Sequence, residues 1–385
     1  MNKLLTNLPS LRCFRMFSRR MRFSRILFTS VVIVCVLGAT SAEAKELRDL
    51  YLSVTSKAMG GTSVCVAEPS DAIWQNPALL ARSPAKEVHY LDIAIEGSQD
   101  LYSAYSVNAD AFKKPSISSF NSLMGYNNYL RGQITPNFVI PNFGISLISD
   151  GQFAFYGRNT TFPQVTLGYQ NTNGIQMAFG MAFSPGRWGG TRVAHPELRV
   201  GAAVKALYRR GGFKKLSTVD LLNLTEGRGQ ISQIVGNYEL GIGGDLGSQY
   251  VMPLSRAAEF SVGAVFLDIG DTSFSGKADA IDSNLAIGAG LKYTYGFFNT
   301  RIAYDYRNIL EDVDWRQKNH IGLEFGIKRF NIQLGVNQVY ITGGASVDIW
   351  FLRVTAATYA QELGTNVHQE ANRRYSLRVD MKFNL

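Results

Sequence analysis

The chain has 385 residues, of which 39 are basic and 30 acidic, for a formal net charge of +9. Seven of the basic residues and one acidic residue fall in the first 44, so the net beyond them is +3 and the composition gives no support to a nucleic-acid partner. Two of the three cysteines, Cys13 and Cys35, lie in that same leader, and Cys65 alone can form neither an intramolecular disulfide nor a cysteine-rich metal site.

In chain order, Arg19, Arg20, Arg22 and Arg25 precede an apolar run from Ile26 to Gly38, followed by Ala42-Glu43-Ala44. This is the layout of a secretory signal peptide, with cleavage expected after Ala44. The run is short for a membrane-spanning helix, which needs about 20 residues. No later stretch approaches 18 consecutive apolar residues, so a membrane role for the rest of the chain requires strands.

Residues 45–85 do not read as membrane strands. The segment around Met59-Gly60-Gly61 and Val64 is small and apolar, and Asp71-Ala72-Ile73-Trp74-Gln75-Asn76-Pro77-Ala78-Leu79 follows. Small residues permit close backbone packing, and Asn-Pro favours a turn. The composition predicts a compact plug, in which Met59, Val64, Ile73, Trp74 and Leu79 either meet an apolar guest or seal the plug against its surroundings.

From residue 86 onward apolar and polar positions alternate with period two, the signature of strands with one greasy and one wet face. The pattern predicts strands near 86–96, 99–109, 132–140, 143–157, 162–170, 174–184, 197–209, 233–247, 257–268, 284–295, 298–308, 318–328, 329–341, 346–359 and 374–385. The final stretch, Tyr375 to Leu385, alternates without exception and has the length of a tilted strand crossing the hydrocarbon layer, about 9 to 11 residues. The wet face is rich in glycine and carries both charge signs, as a hydrated or plugged lumen would. A soluble sandwich also alternates; the glycine content and the aromatic residues near strand ends favour a membrane barrel. A charge facing lipid costs roughly 2 to 4 kcal/mol at the midplane, so Arg199, Lys205, Glu239, Asp245, Lys292, Arg301, Asp305 and Glu324 are expected to point inward. Bacterial single-chain barrels have even strand numbers, which makes fourteen the expected count, with sixteen as the alternative.

The ordered set of Gly60-Gly61, Asp71 and Asn76-Pro77-Ala78, with Tyr304-Asp305-Tyr306, His320-Ile321-Gly322-Leu323-Glu324, Thr342-Gly343-Gly344 and Tyr359 to Gly364 further on, resembles FadL-like outer-membrane barrels, especially their PorV/PorQ branch. That resemblance implies an all-β fold, a transmembrane antiparallel barrel of fourteen strands spanning 86–385 with residues 45–85 as a hatch inside the lumen. It also implies a bacterial outer-membrane location in contact with lipid and lipopolysaccharide. For function it implies passage of small hydrophobic molecules or, alternatively, a non-enzymatic role in protein secretion or surface assembly with a periplasmic or secretion partner.

No catalytic constellation is present in the sequence: the histidines are scattered, with neither a zinc-binding HExxH helix nor a GxSxG nucleophile turn. No cofactor or metal is expected, and Glu311, Asp312 and Asp314 read as a solvated acidic turn. Counting strands back from a carboxy terminus in the periplasm puts 309–317 and 269–283 on the periplasmic side, long connections that would suit a periplasmic partner.

Overall fold

The computed structural model describes residues 46–81, 83, 86–113, 124–158, 164–184, 196–216 and 235–385. The expected leader lies outside the described residues. Fifteen strands form one antiparallel sheet in the order β15 to β4, then β2, β1 and β3. They are β1 (Glu87–Ser98), β2 (Asn127–Ile134), β3 (Asn137–Ile140), β4 (Phe143–Arg158), β5 (Gln164–Phe183), β6 (Glu197–Leu216), β7 (Glu239–Pro253), β8 (Ala258–Leu267), β9 (Asn284–Tyr295), β10 (Phe298–Tyr306), β11 (Asn319–Ile327), β12 (Phe330–Asn337), β13 (Tyr340–Ile349), β14 (Leu352–Glu362) and β15 (Ala371–Asn384). Both β2 and β3 lie between β1 and β4, so they are one strand interrupted at Thr135-Pro136, and the sheet has fourteen positions. Pairing of β1 with β15, from Glu87↔Asn384 to Ser98↔Arg374, closes it into a barrel.

Closure removes every sheet edge, which a strand structure in lipid requires. The period-two stripes face outward: Met177, Phe179, Leu240, Ile242, Ile302, Leu323, Phe325, Leu377 and Phe383 are exposed. Their sequence neighbours turn inward, with Lys205, Asp245, Asp305, Glu324, Arg378 and Asp380 all buried. This is the arrangement the cost of a charge in hydrocarbon demands.

The two ends differ. At one, the connections 141–142, 254–257, 296–297, 328–329 and 350–351 are short and 184–196 is the exception; at the other, 99–126, 268–283, 307–318 and 363–370 are long and 338–339 is the exception. Single-chain outer-membrane barrels keep short turns on the periplasmic side and longer loops outside, so the short-turn end, which carries Glu87 and Asn384, faces the periplasm.

Three expectations are corrected. Residues 99–109 are not a strand but part of α3 (Gln99–Lys113). Ser98 Oγ caps the helix by accepting from Leu101 N (3.1 Å), and Ala104 is buried while Tyr102 and Tyr105 are exposed, a helical rather than alternating pattern. The expected strands 162–170 and 174–184 are not separate: β5 runs unbroken from Gln164 to Phe183, paired with β4 from Gln164 to Phe179 and with β6 from Val165 to Phe183. Its Gln170-Asn171-Thr172-Asn173-Gly174 run resembles a turn because the wall there extends past the span a membrane needs, into water. The predicted strand 346–359 is two strands, β13 and β14, joined at Trp350-Phe351. The Gly343-Gly344 pair that suggests a turn lies inside β13. That shift of one strand reverses the ends, so 269–283 and 309–317 belong to the long-loop end and supply no periplasmic surface.

Candidate functional site

Residues 46–81 lie inside the lumen as a hatch, and local sequence explains its shape. Helix α1 (Val54–Ala58) is capped by Ser53 Oγ, which accepts from Ser56 N (3.2 Å). The chain leaves it through Gly60 and Gly61, with φ of 68° and 88°, values that glycine adopts without penalty. Helix α2 (Pro69–Gln75) begins with proline at its first position, where no N–H is needed. The Asn76-Pro77-Ala78 turn follows: Asn76 Oδ1 accepts from Ala78 N (3.1 Å), and its Nδ2 donates to Val64 O (2.6 Å), tying the two halves of the hatch together.

The lumenal glycines receive this backbone. Gly180, Gly201 and Gly247, on three adjacent strands, form the floor under Asn76-Pro77-Ala78, and a Cβ at any of them would overlap that turn or the residues around it. Gly322 and Gly335 likewise receive Met59 and Gly60, and a Cβ at Gly344 would lie 2.7 Å from Ala58 Cβ. The glycine-rich face is therefore a mould for a second layer of chain.

Ion pairs fix the hatch on the other side. Arg378 of β15 holds Asp92 of β1 through Nε (2.7 Å) and Asp71 of α2 (3.1 Å), and Tyr51 donates its hydroxyl to Asp71 (2.7 Å). Burial first, and then the Asp71 charge, push the Tyr51 phenol well up, so it remains a donor. Glu68 lies between Arg301 (3.2 Å) and Arg353; burial would raise its carboxyl, but the two guanidinium groups hold it well below the usual range. Asp305 accepts from the Ser63 and Val64 amides (2.6 and 2.9 Å), and Arg307 donates to Gly61 O (2.8 Å).

Against this charged side stands an apolar one. Leu50, Tyr51, Ile73, Trp74, Leu79 and Leu80 of the hatch pack with Val139, Ile148, Ala178, Ala203 and Leu207 of the wall and with Phe274 and Ile281 of the loop after β8. That loop folds inward and is anchored there: Glu239 accepts from the amides of Gly276, Lys277 and Ala278 (2.9, 2.6 and 3.0 Å), and Asp279 accepts from Phe213 N (2.7 Å). The cluster runs as a column from Phe274 at the long-loop end to Val139 beside the Thr135-Pro136 interruption. Trp74 marks the interruption, its indole N–H donating to Ser146 Oγ (2.9 Å), whose hydroxyl donates to Pro136 O (3.3 Å). The wall is sealed there, since Thr135 N donates to Asp92 O (2.9 Å) and Leu147 N to Pro136 O (3.0 Å). A gap of about 20 Å³ beside Tyr51, Trp74 and Ile281 has room for one water, so the column is closed to an organic guest.

Of the five residues expected to meet a guest, Ile73, Trp74 and Leu79 join this column. Met59 and Val64 do not: they pack with Cys65, Val66, Val265, Ala286 and Ala303 in a separate cluster against β8–β10. Burial pushes the Cys65 thiol there up to about 12, and it stays protonated. Sequence reading missed Phe274 and Ile281; the one signal was a lone aromatic in an otherwise polar loop. Asp314 caps the turn Trp315–Lys318 and pairs with Arg316 (2.6 Å), and no group of acidic, histidine or cysteine side chains suited to a metal occurs among the described residues.

Barrel and hatch together define a transmembrane β-barrel plugged by the segment that precedes its first strand. No family model and no curated protein matches the sequence. Among solved structures, the chain is similar to the Pseudomonas putida toluene transporter TodX at 13% identity, covering 87% of this chain and 98% of that one with a TM-score of 0.44. Similar values hold for the monoaromatic hydrocarbon channel CymD (11% identity, 86% and 97% covered, TM-score 0.45) and the Ralstonia pickettii toluene transporter TbuX (12% identity, 87% and 98% covered, TM-score 0.43).

Proposed function

We propose that this protein passes small, uncharged hydrophobic molecules across the outer membrane. The observation that carries the reading is the apolar column, which gives a hydrophobic solute an oily surface from the outer loop to the wall interruption, beside the ion pairs that hold the other side of the hatch. A solute displacing Phe274 would meet Tyr51 and Trp74 next, rings 6.0 Å apart, and then the wall at Pro136, which cannot donate to the ladder. Passage requires the column to open, through movement of the Phe274 loop and of Trp74. The motif resemblance to FadL-like barrels agrees with this role. The alternative role in secretion, implied by likeness to the PorV/PorQ branch, loses the support of loops 269–283 and 309–317, which lie at the long-loop end.

The test is uptake of radiolabelled toluene by cells lacking the protein, complemented with the wild type or with Ile281→Asp, which places a charge in the column. Faster uptake with wild type than with the variant is expected. Equal uptake with wild type, variant and empty vector would refute passage, and loss of surface-exported proteins in the same cells would support secretion instead.

A further inference from the structure

We infer that the periplasmic mouth of the lumen holds a binding site for a phosphate group, separate from the apolar column and independent of the transport reading. A cavity of about 340 Å³ opens there, at the short-turn end, between the hatch and the wall from β9 to β14. Its lining is polar, which makes it unsuited to a hydrophobic guest. Four cations, Lys292, Arg301, Lys328 and Arg353, face three carboxylates, Glu68, Glu324 and Asp348.

The two arginines take all three carboxylates. Arg301 pairs with Glu324 at 2.6 Å, Arg353 with Asp348 at 2.5 Å, and both with Glu68. The two lysines are left over. Lys292 reaches a carboxylate only at 3.8 Å, that of Glu259 outside the cavity lining, a separation too long for a hydrogen bond. Lys328 has the Phe297 ring at 5.5 Å and no carboxylate partner among the described residues. Lys292 is partly buried and Lys328 is exposed on the turn after β11, so both ammonium groups are within reach of a solute that enters the mouth. Here two ammonium groups share one cavity with the edge of Arg353 and the amide of Asn331. An ammonium group offers three donors and a guanidinium a planar fork, and a tetrahedral oxyanion has the acceptors to satisfy both. The periplasmic mouth is reached both by dissolved phosphate esters and by phospholipid headgroups, which share this chemistry.

The experiment uses the purified full barrel, with folding of each variant verified by its heat-modifiable gel mobility. Inorganic phosphate is titrated and followed by ³¹P line broadening, and in a second arm the barrel is placed in nanodiscs of phosphatidylglycerol or of phosphatidylcholine and bound lipid is counted by native mass spectrometry. Saturable binding is expected in at least one arm, weakened roughly tenfold or more in Lys292→Gln/Lys328→Gln, since each lost charged hydrogen bond accounts for about that factor. Lys277→Gln, a charge removal at the other end of the barrel, should leave it unchanged. Binding in the phosphate arm identifies a soluble ligand, and binding in the phosphatidylglycerol arm alone identifies a headgroup. Absence of binding in both arms, equal binding by wild type and the double variant, or equal weakening by Lys277→Gln would overturn the site.

Discussion

Replacing Gly180 by alanine tests whether the glycine face is a mould for the hatch. The added Cβ would lie 2.6 Å from Ala81 N and 2.8 Å from Pro77 O. Both are main-chain atoms, and ordinary contacts are about 3.5 to 4.0 Å, so the turn must retreat by roughly 1 Å. Neither side can yield by changing rotamer. The strand is held by pairing on both sides, with Gly180 opposite Gly201, and Gly180 N also donates to Asn142 O (2.9 Å). Overpacking of this kind costs about 1 to 3 kcal/mol, charged against the hatch rather than the barrel. Retreat of the turn strains the Asn76–Val64 bond and uncovers Cys65, which is fully buried in the wild type. The assay is maleimide labelling of Cys65 in outer membranes, located by peptide mapping. Wild type should be nearly inert, and Gly180→Ala should label roughly five to 150 times faster, the factor that 1 to 3 kcal/mol represents. Gly132→Ala is the control, because a Cβ there meets nothing within 4 Å. Equal labelling of the two variants would refute the mould.

Three further outcomes follow from the same geometry. Arg378→Gln leaves Asp71 and Asp92 buried without their cation, a loss of about 3 to 5 kcal/mol that should appear as a lower temperature for the gel-mobility transition. Phe274→Ala shortens the outer end of the column and removes its largest loop contact; uptake of toluene should rise severalfold, whereas a fall would show that Phe274 binds the solute rather than blocks it. Glu68 has a folded-state pKa below its unfolded value, so its stabilisation is present in full above the usual carboxylate pKa of about 4.3 and is lost as pH falls through the depressed value. Emission from Trp74, with the other tryptophans replaced by phenylalanine, should therefore stay constant from pH 7 to 5 and red-shift only in stronger acid; a shift near pH 5 would contradict the latch.

Alternation determined the two faces of each strand, because side chains on a strand have no third direction; the glycines and mixed charges of the wet face and the aromatic residues near strand ends then pointed to a membrane barrel, because hydrocarbon rejects charge. The hatch was also legible: Gly60-Gly61 and Asn76-Pro77-Ala78 specify turns through backbone restrictions that act locally. What a glycine is for could not be read locally. At Gly343-Gly344 a turn and a close approach from another layer look the same in sequence, and only the packed hatch, with Ala58 against Gly344, distinguishes them. That ambiguity displaced one strand and reversed the assignment of two loops. The apolar column likewise belongs to the tertiary structure, since Trp74, Leu207 and Phe274 come from hatch, wall and loop and meet only once the barrel has closed around the hatch.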